Sequence, residues 1–144
     1  MANSVYNAAK EALLLGSFNF EGATNRLYMA LVSNSYTPDV DTEVYHSQLT
    51  HVVAPSNYTA YILVSSPLVT TNNTTNQGVL DASDLLLANV TFNTSVRAGV
   101  LFWSSGLGSA SDPLLAYLDF TTDQAVTAGS FTVTFNASGV LALT

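Results

Sequence analysis

The chain has 144 residues, of which 48% are hydrophobic and only 9% are Asp, Glu, Lys or Arg, and its net charge is −7. Ordinary globular proteins carry about 25% charged residues, and the three strong cations here, Lys10, Arg26 and Arg97, are too few to track a phosphate backbone or an anionic membrane surface. With no cysteine, disulfides, thiolate metal sites and cysteine nucleophiles are excluded together.

Residues 1–16 lack the basic start, apolar stretch and cleavage site of a signal peptide. They read instead as a helix, capped by Ser4 or Asn3 and stopped by Gly16. Its buried face is Val5, Ala8, Ala9, Ala12 and Leu13. Lys10 and Glu11 fall outside it. A helix this short needs a sheet to dock on.

Strand patterns dominate from there. Phe18 and Phe20 alternate with Asn19 and Glu21, and Gly22–Asn25 reads as a turn. Arg26–Ser33 is apolar on both faces, which predicts a central or doubly covered strand. Residues 34–59 form an irregular excursion. It carries Pro38 and the acids Asp39, Asp41 and Glu43, a helical turn within Thr42–Gln48 capped by Thr42 or Asp41, and a short strand at Thr50–Val53. Excursions of this length are usually functional or interfacial.

Further strands are predicted at Ala60–Ser66, Gly78–Asp81, Leu85–Phe92, Val96–Trp103 and Leu114–Phe120. Pro67 confines the first of these to an edge or a bulge. Residues 70–77 read as a polar loop or a wet strand, and 104–112 as a glycine- and serine-rich loop. The pattern then predicts a terminal hairpin. Ser130–Phe135 pairs with Val140–Leu143 through a turn at Asn136–Gly139. About eight to ten short strands with regular turn signals define a mainly β fold. The expectation is one antiparallel β-sandwich domain over 1–144, jelly-roll or Ig-like, with a short N-terminal helix. No apolar run approaches the roughly 20 residues of a spanning helix.

The chemical motifs are weak. Asp39, Asp41 and Glu43 could form a row of oxygens, but they lack the glycine and the distant bidentate acid of a calcium loop. They read as a solvated acidic rim, as do Asp119 and Asp123. His46 and His51 are five apart, not the four of a helical zinc pair. No Gly-x-Ser-x-Gly elbow is present. The pair Gly106 and Gly108 is followed by Ser-Ala-Ser-Asp-Pro rather than a third glycine and a helix, so it is no dinucleotide loop. The expectation is a protein without catalytic residues, cofactor or metal. Tyr36, Tyr45, Tyr58, Tyr61 and Trp103 are the candidate partner contacts, because aromatics are enriched where proteins meet. Edge strands are normally guarded by charge, lysine above all. A β protein whose only lysine is Lys10 is expected to cover its edges with other chains.

The segments "YNAAKEALLLG", "LYMALVSNSYTPDVD", "GVLDASDLLL", "DPLLAYLDFTTDQ" and "SFTVTFNASGVLALT", in this order and spacing, resemble small structural proteins of tailed bacteriophages along most of the chain. The match departs at "SNYTAYI", where small and glycine residues are expected. The resemblance implies a virion component made in the host cytoplasm and carried on the outer capsid surface. It would be a decoration or cement protein that bridges capsomers. Its partners would be itself, with a homotrimer favoured, and the major capsid protein, with no nucleic acid and no membrane. Alternative readings are a minor tail or fibre protein and a carbohydrate-binding β module.

Overall fold

The computed structural model describes residues 2–20, 26–104 and 110–143. The expected turn at 22–25 and the Gly106–Gly108 pair lie outside the described residues, as does most of the loop expected at 104–112. The described chain is mainly β. Strands β1 (Ser4–Val5) and β2 (Arg26–Val32) flank the helix α1 (Asn7–Leu14). Then come β3 (Tyr61–Val64), β4 (Leu68–Asn72), β5 (Gln77–Asp81), β6 (Leu85–Val90) and β7 (Val96–Ser104), followed by β8 (Leu114–Gln124), β9 (Gly129–Val133) and β10 (Leu141–Leu143). They form three antiparallel sheets, in the orders β1-β8-β7-β2-β3, β10-β5-β4 and β6-β9. No described helix is long and apolar enough to cross a membrane.

The doubly apolar strand lies where its pattern predicts. β2 runs between β7 and β3, and every residue from Leu27 to Val32 is buried. Its seven-residue register with β7, Arg26 opposite Ser104 through Val32 opposite Ala98, leaves neither face for water. One contiguous cluster joins this sheet to Leu87, Val90, Phe131 and Val133 of the β6–β9 pair, to Leu80 of β5 and to Ala9 of α1. Burying a side chain of this size stabilises by about 1.5–3 kcal/mol. These residues therefore decide the fold.

Four local expectations are corrected. Neither Asn3 nor Ser4 caps the helix. Ser4 and Val5 pair with Tyr117 and Ala116, and Asn3 Oδ1 accepts the Asp119 amide at 2.8 Å. The helix instead follows an extended Tyr6 that is fully buried. A two-residue pairing with a long strand outcompetes a side-chain cap once Tyr6 has a core to enter. Phe18 and Phe20 form no strand; Phe20 is buried and the two rings stack at 5.3 Å. Residues 50–53 supply only an isolated bridge, Val52 opposite Val32.

The fourth correction is the terminal hairpin. Phe131 and Val133 face inward and Thr132 outward, as the alternation predicts, and Asn136–Gly139 is a turn closed by the Gly139 amide on the Asn136 carbonyl at 2.8 Å. The flanking strands nonetheless go to different sheets. β9 pairs with β6, and β10 pairs with β5. Phe135 donates its amide to Asp84 Oδ1, and Val140 donates to the Leu80 carbonyl. Alternation fixes which face of a strand is buried, not which neighbour completes its ladder.

Candidate interaction surface

The acids of the excursion build the loop. Asp39 Oδ1 accepts the amides of Asp41 and Thr42, and its Oδ2 accepts the Thr42 hydroxyl at 2.7 Å. That hydroxyl first, and the two amides with it, hold the Asp39 carboxyl below its ordinary value. Asp41 accepts from Asn7 Nδ2. Glu43 accepts the Asp39 amide and, at 2.6 Å, the Tyr36 hydroxyl. Asp39 and Asp41 are exposed, as a solvated rim requires, and Asp39 and Glu43 also satisfy backbone amides that have no ladder to join.

Tyr36 is therefore corrected as a contact residue. It is 5% exposed, and its hydroxyl lies 2.8 Å from that of Tyr6. Because Tyr36 commits its only proton to Glu43, Tyr6 donates to Tyr36. Burial first, then the bond to the Glu43 carboxylate, push the Tyr36 phenol up. Burial pushes the Tyr6 phenol up as well.

The other four predicted aromatics do not converge on one surface. Tyr45 is exposed and sits at the bridge to Pro113. Next to it His46, 5% exposed, lies flat on Phe102 at 4.9 Å and edge-on to Tyr61 at 5.0 Å. Tyr61 is thus half-buried packing for a loop histidine. Trp103 is half-buried and meets Phe18 edge-on at 5.8 Å. The helical turn of this segment is His46–Gln48 and follows Tyr45 rather than Asp41 or Thr42. Gln48 Oε1 holds it by accepting the amides of Val44 and Tyr45.

Tyr58 guards an edge. Its hydroxyl accepts the Ala88 amide at 2.9 Å and lies 3.3 Å from the Ala88 carbonyl, and Asn57 Nδ2 donates to the Asn89 carbonyl. The outer side of β6 is therefore occupied by side chains. Tyr58→Phe is expected to cost about 1 kcal/mol or less, since water can replace the hydroxyl at an exposed site. It should nevertheless raise concentration-dependent light scattering by uncovering a strand edge. A variant that scatters no more than the wild type would show that Tyr58 does not protect β6.

The distribution of charge over the strands is sharper than the composition foretells. Among the described residues, the strands with a neighbour on one side only are β1, β3, β4, β6, β9 and β10. None contains Asp, Glu, Lys or Arg. Every charged strand residue, namely Arg26, Asp81, Arg97, Asp119 and Asp123, lies on a strand with two neighbours. This inverts the usual protection of edges by charge. Large apolar side chains stand exposed on or beside these edges: Leu63, Leu68, Val69, Leu86, Leu143 and, at the end of α1, Leu14 and Leu15.

Among the described residues several grooves open on the surface, and two have apolar walls. One, of about 570 Å³, runs between the end of β8 and β9 and is lined by Phe120, Phe131, Phe135 and Gln124. Its acid, Asp119, is already paired with Arg97 at 2.8 Å, and Arg97 also reaches Asp123 at 3.5 Å. The Arg97 guanidinium, chiefly, holds the Asp119 carboxyl far below its ordinary value. The other groove, of about 390 Å³, lies between the end of α1 and the face of the β10-β5-β4 sheet and is lined mainly by apolar side chains, with Asn19 among them. Among the described residues no three His, Asp or Glu side chains gather as metal ligands. Sequence reasoning missed Leu14 and Leu15. The available signal was Leu13-Leu14-Leu15 before Gly16, more apolar width than a one-sided helix can bury.

No family model, no curated protein and no solved structure matches the chain.

Proposed function

We propose that this is a structural protein whose activity is adhesion: a virion head-decoration protein that binds the outer capsid surface and its own copies. The observation that carries the adhesive reading is the charge-free set of six edge strands. In a free monomer such edges invite pairing with other chains; in an assembly they are the contact. The viral setting rests on the resemblance of the five sequence segments. We further infer a two-layer sandwich, with the five-stranded sheet packed on the β6–β9 pair, supported by the single cluster that joins them.

The mechanism needs no chemistry. A protein that binds assembled capsomers and not separated ones stabilises the shell by mass action, about 2.7 kcal/mol per site at a free concentration 100 times Kd. Tyr45, exposed and held at the Pro113 bridge, is the predicted aromatic best placed to meet the shell. Purified protein is expected to co-sediment saturably with capsids assembled without it and to raise their disruption temperature. Tyr45→Ala is expected to lower occupancy about tenfold or more, as for an aromatic contact residue. Absence of wild-type protein from the pelleted shells, at micromolar concentration, overturns the reading.

A further inference from the structure

The apolar groove beside α1 has its own plug next to it. Leu13 and Phe18 line one wall, and Val69, Leu80 and Leu143 line the facing sheet. Between Leu13 and Phe18 the chain turns outward, leaving Leu14 90% and Leu15 71% exposed. The groove floor includes Gly78, where an added Cβ would meet nothing within 4 Å. Gly78 sits opposite Thr71 and Leu143 in the ladder, so the missing side chain widens the hollow beside the exposed Leu143. An apolar cavity of roughly 150 Å³ accepts a benzene-sized molecule; the 390 Å³ here has room for two leucine side chains.

We infer that this groove takes Leu14 and Leu15 of a second copy of the chain, about a two-fold axis. Three observations select that occupant. Projection and groove belong to one patch, so a contact made by one copy is returned by the other, which is the condition for a closed isologous pair. Leu14, Leu15, Val69 and Leu143 stand 90%, 71%, 46% and 51% exposed, large apolar side chains of the kind that form the apolar part of a standard interface of about 800 Å² a side. Charge also permits it. Among the described residues the groove lining has no ionisable group, and one helical turn before the leucines stand Lys10 and Glu11, one charge of each sign, so that part of the rim does not repel its own image.

This deepens the adhesive reading and rests on it, but it concerns contact between copies, not with the shell. The test measures self-association of the full chain by sedimentation equilibrium. The wild type is expected to be a dimer with a dissociation constant on the order of micromolar. The double variant Leu14→Gln/Leu15→Gln removes the projection at exposed positions, and Gly78→Val fills the groove without an internal clash. Each is expected to weaken association about a hundredfold, as loss of a central apolar anchor does. Mixing the two variants restores one of the two reciprocal contacts, so the mixture should associate more tightly than either alone. Leu143→Gln serves if Gly78→Val fails to fold by circular dichroism. A monomeric wild type, a trimer indifferent to both variants, or a mixture no tighter than its components overturns the inference. Capsid binding retained by the non-associating variants sinks neither it nor the decoration role; capsid binding lost by a wild type that still dimerises sinks only the latter.

Discussion

Tyr36→Ala is expected to destabilise the fold by about 3–5 kcal/mol, the cost of truncating a buried aromatic. It should not leave a folded protein with a defective surface. The ring is 5% exposed and tilts against Tyr117 at 6.2 Å, and its hydroxyl joins Tyr6 on α1's flank to Glu43 in the excursion. Removing it strands the buried Tyr6 hydroxyl and takes one partner from Glu43, as well as opening a cavity. Tyr36→Phe keeps the ring and is expected to cost about 1–2 kcal/mol. The same network sets a pH dependence. The Tyr6 and Tyr36 phenols are raised, first by burial, so the folded state holds those protons more tightly than the unfolded chain. Stability is then fully present below the ordinary tyrosine value of about 10 and falls as pH rises past it toward the raised folded values. Urea unfolding across alkaline pH, followed by tyrosinate absorbance, should show a steeper loss in the wild type than in Tyr36→Phe. An unfolding free energy of Tyr36→Ala equal to the wild type's would remove the network from any structural role.

What the sequence discloses follows from the range of the interactions involved. The two-sided apolarity of Leu27–Val32 is a local signal of a non-local fact, and the strand does have a neighbour on each side. Pro67 puts β3 at an edge, where it is found. The inward set Phe131 and Val133 is legible because a strand repeats every two residues. Partner choice has no such signature. The signals at Asn136–Gly139 are those of a hairpin turn, and the turn forms, but Leu80 and Asp84 recruit its two arms separately. Tyr36 looks like a surface residue because its sequence neighbours are polar. Only the folded chain brings Tyr6 to it, across 30 positions.

The scarcity of charge is visible in the composition, while its placement is not. A chain with 13 ionised side chains, 3 basic and 10 acidic, could have put several on its edges. Instead Arg97, Asp119 and Asp123 sit on adjacent interior strands, where they pair with one another. The edge strands are left with Ser, Thr, Asn, aliphatic and, at Tyr61 and Phe131, aromatic side chains. Hydroxyl and amide groups keep such an edge wetted without the mutual repulsion that would keep copies apart. Under the proposed adhesive role, that combination would favour contact between neighbours over indiscriminate aggregation, with a few side chains such as Tyr58 closing the edges that are not meant to pair.

Gly139→Val is expected to be the most damaging single change at the carboxyl end, costing about 3 kcal/mol or more. Gly139 has φ of +100°, a conformation that side-chain-bearing residues rarely adopt. A Cβ there would also collide with Val79 Cγ1 and lie 2.9 Å from the Leu80 carbonyl oxygen. Neither obstacle can yield, because Val79 and Leu80 are 6% and 5% exposed and belong to the central strand of their sheet. The turn must open instead. Opening it withdraws the Val140 amide from the Leu80 carbonyl, a bond of 2.8 Å, and with it the start of the β10 ladder. Amide exchange should therefore quicken along β5 and β10 while β2 and β7, at the centre of the five-stranded sheet, keep their protection. Leu141 and Leu143 also line the groove beside α1, so the same variant should lose copy-to-copy association at concentrations where its remaining sheets are still folded. Gly139→Ala carries the φ penalty and the same Cβ contact with a smaller side chain, and should fall between wild type and valine. If both variants unfold within about 0.5 kcal/mol of the wild type, the scatter of ordinary surface substitutions, the turn does not hold β10 in place and the groove has lost its outer wall as a fixed feature.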